Sequence, residues 1–213
     1  MSRKRESSWI SYTILTVAIV VLAAGIASAQ DAYQVTYYAN PAGNKSPDSS
    51  IHIINPGTAV KTLNRNGYPI DGQLCAFIYV FNDDEQEEEC CGCLLTADSE
   101  ITLSLHTDLL GSPFNMRELT KDGVIKIVSG PANVPGPPPS CDPAAELNDP
   151  IVPTSELRAW STHTQAQGST NVETEEEFAA VPLSADELSF AENLCSDISG
   201  ASGKGICTCG YGD

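Results

Sequence analysis

LCAFIYVFNDDEQEEECCGCLL, Leu74–Leu95, decides how the rest of the chain reads. Its first eight residues, Leu74 to Phe81, are apolar at every position, with no polar alternation. Such a run is too short for a buried helix and fits a central strand covered on both faces. An acidic tip, Asn82 to Glu89, follows, and then Glu89-Cys90-Cys91-Gly92-Cys93. If that segment is a strand, Cys91 and Cys93 point to one face and Cys90 to the other. Adjacent Cys90 and Cys91 then reach different partners, as a junction between elements requires, and Cys75 is the obvious neighbour.

Working outward, the flanks also read as strands. Tyr33, Val35 and Tyr37 alternate with Gln34 and Thr36, and Ser50–Ile54 forms a second short run before Asn55-Pro56-Gly57. Ile101, Leu103 and Leu105 alternate with Thr102, Ser104 and His106, and Gly123–Val128 offers that strand a partner. Pro131 to Pro153 holds eight prolines and can enter neither helix nor sheet interior. Leu157–His163 and Glu177–Val181 read as two strands flanking a polar tip at Gln165–Thr174, joining the main sheet. Ser184 and Glu187 make a capping box for a helix over 185–198, in which Leu188, Ala191, Leu194, Cys195 and Ile198 form the buried stripe. The expected fold is therefore mainly β, an antiparallel immunoglobulin-like β-sandwich with one C-terminal helix and a proline-rich loop, stapled by disulfides.

The N-terminus reads as an address. Arg3, Lys4 and Arg5 precede an apolar run from Ile10 to Ala27, and Ala27-Ser28-Ala29 supplies the small residues of a cleavage site. Residues 1–29 are expected to be a signal peptide rather than a retained anchor. The single β-rich domain then spans 30–213: main strands over 30–130, the proline-rich loop over 131–153, a hairpin over 154–182, and the helix with its cysteine-rich tail over 183–213. Export places the protein in the periplasm or outside the cell. There, eight cysteines (Cys75, Cys90, Cys91, Cys93, Cys141, Cys195, Cys207 and Cys209) read first as disulfides. Their connectivity is one of 105 and is not deducible.

The chain of 213 residues has 28 Asp+Glu against 11 Lys+Arg, a formal charge of -17. That charge argues against nucleic acid and anionic membrane surfaces as partners. It leaves protein association or self-association through a sheet edge, or through the N-terminal strand added to a neighbour. The carboxylates of Asp83, Asp84, Glu85, Glu87, Glu88 and Glu89 could hold calcium weakly, although the run lacks the glycine and final glutamate of an EF-hand loop. No other cofactor is expected. Neither Cys91-Gly92-Cys93 nor Cys207-Thr208-Cys209 has the C-x-x-C spacing of zinc sites or redox dithiols. The glycine-rich Gly200–Gly205 fails the phosphate-loop spacing, and Asn44-Lys45-Ser46 is a bare glycosylation tripeptide. No catalytic residues are assigned. His52, His106 and His163 lie in separate segments and would need a nucleophile and a carboxylate beside them to make a hydrolase.

Three stretches, Leu74–Leu105, Leu183–Cys195 and Gly203–Gly210, together resemble a group of secreted, cysteine-rich bacterial proteins with an ECCxC segment and a terminal C-x-C or C-x-x-C. No activity is attached to that group, so the resemblance implies export and disulfides but no active site. From Ile51 to Leu105 the order of turn, apolar strand, polar tip and alternating strand is also similar to immunoglobulin-like extracellular modules. The crowded cysteines depart from the usual single core disulfide of such modules. The signal peptide, the strand pattern, the cysteines and the lack of a catalytic constellation together lead to the expectation of a structural or binding module at the cell exterior, without evident catalytic activity. A thiol-redox or metal-binding protein using the cysteine clusters is the alternative.

Overall fold

Strand β5 (Leu74–Asn82) is buried at every position, and the molecule is built around it. The structure is a computed structural model and describes residues 32–39, 47–58, 62–63, 69–70, 72–112, 114, 122–131, 141–144, 151–200 and 205–209. The expected signal peptide, the tripeptide at Asn44 and most of the proline-rich stretch lie outside the described residues.

Two antiparallel sheets carry the fold, with β3 (Thr62–Leu63) and β4 (Pro69–Ile70) as a separate short pair. The first sheet runs β11-β1-β8-β5-β6, with β1 over Tyr33–Ala39, β6 over Glu87–Leu95, β8 over Asp122–Pro131 and β11 over Ala179–Ala180. The second runs β10-β9-β2-β7, with β2 over Ser50–Asn55, β7 over Ser99–Ser104, β9 over Arg158–Gln167 and β10 over Thr170–Glu177. Helix α1 spans Ala185–Gly200.

The alternation along β5 produces three layers. Leu74, Ala76, Ile78 and Val80 face the second sheet and pack with Ile51, Ile53, Ile101, Leu103 and Ala159. Cys75, Phe77, Tyr79 and Phe81 face the other way, onto Leu188, Ala191, Cys195 and Ile198 of α1. A strand with a core on each side must be apolar throughout, which is the pattern Leu74–Phe81 shows. The two packed sheets and the C-terminal helix are as the sequence implies.

Strand partnership departs from the sequence reading at three places. Glu177–Val181 is not the second strand of the hairpin: Glu177 ends β10, and Ala179–Ala180 is β11, beside β1 in the first sheet. Gly123–Val128 does not join the Ile101–Leu105 strand: β8 pairs with β1 and β5 in the first sheet, while β7 pairs with β2 in the second. A strand pattern marks a segment as extended but says nothing about which sheet it enters. The residues Gln165–Thr174 are not a loose tip. They extend β9 and β10, and the turn narrows to Gly168 (φ 65°) and Ser169. Only Arg158–Thr162 of β9 pairs with β2, so the remainder of the hairpin is a two-stranded arm. Strand β1 pairs with β8 along its whole length and with β11 of its own chain at Gln34 and Val35.

α1 begins at the expected cap, where Ser184 Oγ accepts the Glu187 N–H (3.1 Å). The Glu187 carboxylate does not complete the capping box. It accepts instead from Lys126 Nζ (2.6 Å) and Tyr33 Oη (3.2 Å), tying the helix start to β8 and β1.

Candidate functional site

The ECCGC segment is a junction, and each of its residues has a different partner. On β6, Cys90 turns toward α1 and bonds Cys195; Cys91 and Cys93 turn toward the sandwich core and bond Cys207 and Cys209. Cys75 pairs with Cys141, not with a cysteine of the cluster. All eight cysteines are oxidised and no free thiol remains. The two C-x-C pairs are bridged in parallel, position for position. Along the edge, Cys90 N–H donates to Gly205 O (2.8 Å) and Cys207 N–H to Cys90 O (3.2 Å). The tail therefore caps β6, which would otherwise present an open edge. Gly92 leaves room on the remaining side: a Cβ there would collide with the backbone carbonyl of Cys141. The loops closed are 66, 105, 116 and 116 residues long. In the chain-entropy picture each loop of that length contributes on the order of 4 kcal/mol when formed alone.

The acidic run divides in two. Asp83, Asp84 and Glu85 lie exposed on the turn between β5 and β6, where Asn82 Oδ1 accepts from Asp84 N–H (3.0 Å) and Gln86 N–H (2.8 Å). Glu87, Glu88 and Glu89 are buried strand residues. A bulge explains how three successive glutamates enter the interior. Val80 pairs with Glu89 and Phe81 with Glu87, so Glu88 is the extra residue. Its carboxylate accepts from Asn82 Nδ2 (2.6 Å). Among the described residues, no three of these carboxylates converge within metal-binding distance. The two ligand-like clusters that do form, Cys91/Cys93/Cys209 and Glu87/Cys90/Cys195, consist mainly of sulfurs already committed to disulfides.

Sequence reasoning missed the environment of Glu87 and Glu89. Burial pushes the Glu87 carboxyl up to about 9, countered in part by Lys126. It pushes Glu89 up to about 8, against the Ser112 N–H that donates to Glu89 Oε1 (2.7 Å). Both carboxyls are thus neutral near pH 7. Neither oxygen of Glu87 has a hydrogen-bond partner among the described residues. Glu87 belongs to the wall of a groove of about 300 Å³ between the β5–β6 turn and the C-terminal half of α1. The groove's apolar lining comes from Phe114, Phe190, Leu194 and Ile198, and its rim carries Glu85 and Asp197.

The histidines sit on or beside the second sheet. His52 Nε2 lies 3.2 Å from both Ser50 Oγ and Thr162 Oγ1, and Nδ1 lies 3.3 Å from Glu100 Oε1 and 3.0 Å from Thr102 Oγ1. Its ring stacks on Trp160 (5.0 Å between centroids). Serine, imidazole and carboxylate are in line there. The backbone N–H groups of β2, however, are spent on its ladders with β7 and β9, so none is aimed at a developing oxyanion. His163 has Ser161 Oγ (3.0 Å) and Glu176 Oε2 (3.6 Å) on the same Nε2, which no relay can use. His106 lies in the π-helical turn Leu105–Leu109 after β7, with Nδ1 3.5 Å from Asp48.

No family model and no curated protein matches the chain. Among solved structures, that of Thermotoga maritima 1070 aligns with 71% of this chain and 97% of its own, at 10% identity and a TM-score of 0.39.

Proposed function

We propose that the chain is a secreted, disulfide-stabilised binding or structural module of the cell exterior, without catalytic activity of its own. The observation that carries this reading is the ECCGC junction. Helix, tail and the Cys141 segment are all bonded to the first sheet through oxidised cysteines. Disulfides of this density persist in oxidising compartments and stabilise domains exposed to them. The Ala27-Ser28-Ala29 motif and the resemblance to secreted cysteine-rich bacterial proteins support export. The charge of -17 favours a protein or a neutral or cationic ligand over nucleic acid or anionic lipid. A protein partner, or a second copy, would meet the chain at an edge of the second sheet, where β7 and β10 each pair on one side only.

Intact mass of the exported protein, alkylated with and without prior reduction, tests the reading. The expected result is a chain starting at Gln30, with eight alkyl groups added only after reduction. Free thiols in the native protein, or bound metal lost on chelation, would overturn it in favour of a redox or metal-handling role for the cysteine clusters.

A further inference from the structure

We propose that the two tail disulfides form a thiol-operated clasp. A low-molecular-weight thiolate entering at Cys209 isomerises Cys91–Cys207 and Cys93–Cys209 to Cys91–Cys93 and Cys207–Cys209, which detaches the tail from β6. This rests on the reading of the chain as a disulfide-stabilised exported module and gives its cysteine junction a reactive site.

The bridges are not equivalent in their surroundings. The sulfurs of Cys91, Cys93 and Cys209 all lie within 4.8 Å of one another, the one such three-sulfur cluster among the described residues. They belong to two different bridges. Exchange requires a thiolate beside a disulfide sulfur, so breaking Cys93–Cys209 leaves a nucleophile already placed against Cys91. Access selects the first step. Cys91, Cys93 and Cys207 are buried, whereas Cys209 is partly exposed, with its sulfur 3.5 Å from Gly92 O. The products are within reach as well. Cys91 and Cys93 share one face of β6, and positions two apart on a strand stand about 6.6 Å from one another, close to the upper end of the Cα separations a disulfide spans. Gly92 between them is the residue best able to bend the strand. Cys207 and Cys209 have the same spacing in the tail.

Three exchanges complete the change. The small thiolate attacks Cys209 Sγ, forming a mixed disulfide and expelling the Cys93 thiolate. Cys93 attacks Cys91 Sγ, forming Cys91–Cys93 and expelling the Cys207 thiolate. Cys207 then attacks Cys209 Sγ, forming Cys207–Cys209 and returning the small thiolate. Each step makes one S–S bond and breaks one, so nothing is oxidised or reduced overall and the thiol acts as a catalyst. The tail keeps only its hydrogen bonds, those of Gly205 and Cys207 to Cys90 and of Thr208 to Asp108.

The experiment treats the exported, oxidised protein at pH 8 with about one-tenth of an equivalent of 2-mercaptoethanol. Acid quenching, alkylation and peptide mass spectrometry then map the bridges. Cys91–Cys93 and Cys207–Cys209 are expected in more than about a tenth of the chains, more than the thiol could produce without being returned. The rate should rise with pH as the thiolate fraction does, and Cys75–Cys141 and Cys90–Cys195 should persist. Cys93→Ala gives a second test with no added thiol. Its Cys209 thiol, within 4.8 Å of Cys91, should exchange with Cys207, so that alkylation labels both tail cysteines. Original bridges throughout the treated protein, equal scrambling of all four, or label at Cys209 alone in Cys93→Ala would each overturn the proposal. The untreated sample reads the module assignment separately: free thiols there overturn that reading, whereas four intact bridges there with no isomer after treatment overturn the clasp alone.

Discussion

Glu87 and Glu89 give the protein an unusual dependence on pH. A carboxyl that stays neutral in the folded state, while its unfolded counterpart ionises near 4.5, stabilises the fold fully below that value. The contribution is lost as pH rises from about 4.5 toward 8 for Glu89 and 9 for Glu87, where the folded forms also ionise. Stability should therefore be higher at pH 4 than at pH 8, the reverse of a fold held by ionised carboxylates. Urea unfolding with the disulfides intact will show a midpoint that falls between those pH values. Glu87→Gln should raise the unfolding free energy at pH 8 by about 1–3 kcal/mol, and the midpoint with it, and leave both nearly unchanged at pH 4. A wild-type midpoint that rises with pH would contradict the burial argument. Gly92 acts by shape alone. Gly92→Ala must push the Cys141 backbone off β6 and should cost about 2–4 kcal/mol, as an overpacked core position does. Its thermal unfolding, with faster reduction of Cys75–Cys141 than in the wild type, is the check.

Elements differ in how plainly their sequences announce them. β5 and α1 were legible because each has one governing constraint: apolar on both faces for the strand, a cap and a helical stripe for the helix. The opposed directions of Cys90 and Cys91 were legible for the same reason, being a consequence of strand period alone. The burial of Glu87–Glu89 was hidden, because a charge run ordinarily signals a solvated tip and the bulge at Glu88 leaves no sequence mark. Disulfide partners were hidden as well, since the tail cysteines stand 116 positions beyond their partners on β6. That late-arriving tail carries its own expectation. Replacing Cys91, Cys93, Cys207 and Cys209 with alanine removes both bridges and frees the β6 edge. Hydrogen exchange at the Cys90 amide, bonded to Gly205 O, should accelerate by at least about tenfold. The exposed edge should also make the variant associate with rising concentration, which light scattering reads. Unaltered exchange would mean that the backbone pairing alone holds the tail.

At the scale of the whole molecule, one sheet serves two cores, and the disulfides are shared between them. Cys91–Cys207 and Cys93–Cys209 belong to the core between the sheets; Cys75–Cys141 and Cys90–Cys195 belong to the layer under α1. The inter-sheet core draws on strands from both sheets, and Gln34 bonds across them to Leu157 O (2.7 Å) and Ala159 N–H (3.1 Å). The helix layer instead rests on a 16-residue helix with four buried apolar side chains, among them Cys195 itself. A helix of that length is marginal in water without its packing face. The two layers should therefore separate in stability when their staples are removed. Replacing Cys75, Cys90, Cys141 and Cys195 with alanine is expected to let Ala185–Gly200 exchange its amides at far lower denaturant than β5 and β8, while the strand signal in circular dichroism persists. The complementary variant, lacking the two tail disulfides, should lose β6 protection first and keep the helix through Cys90–Cys195. If either variant instead unfolds helix and sheets in a single step, β5 couples the two cores more strongly than the disulfides divide them. The double burial of its Cys75, Phe77 and Tyr79 face and its Ala76, Ile78 and Val80 face would then be the reason.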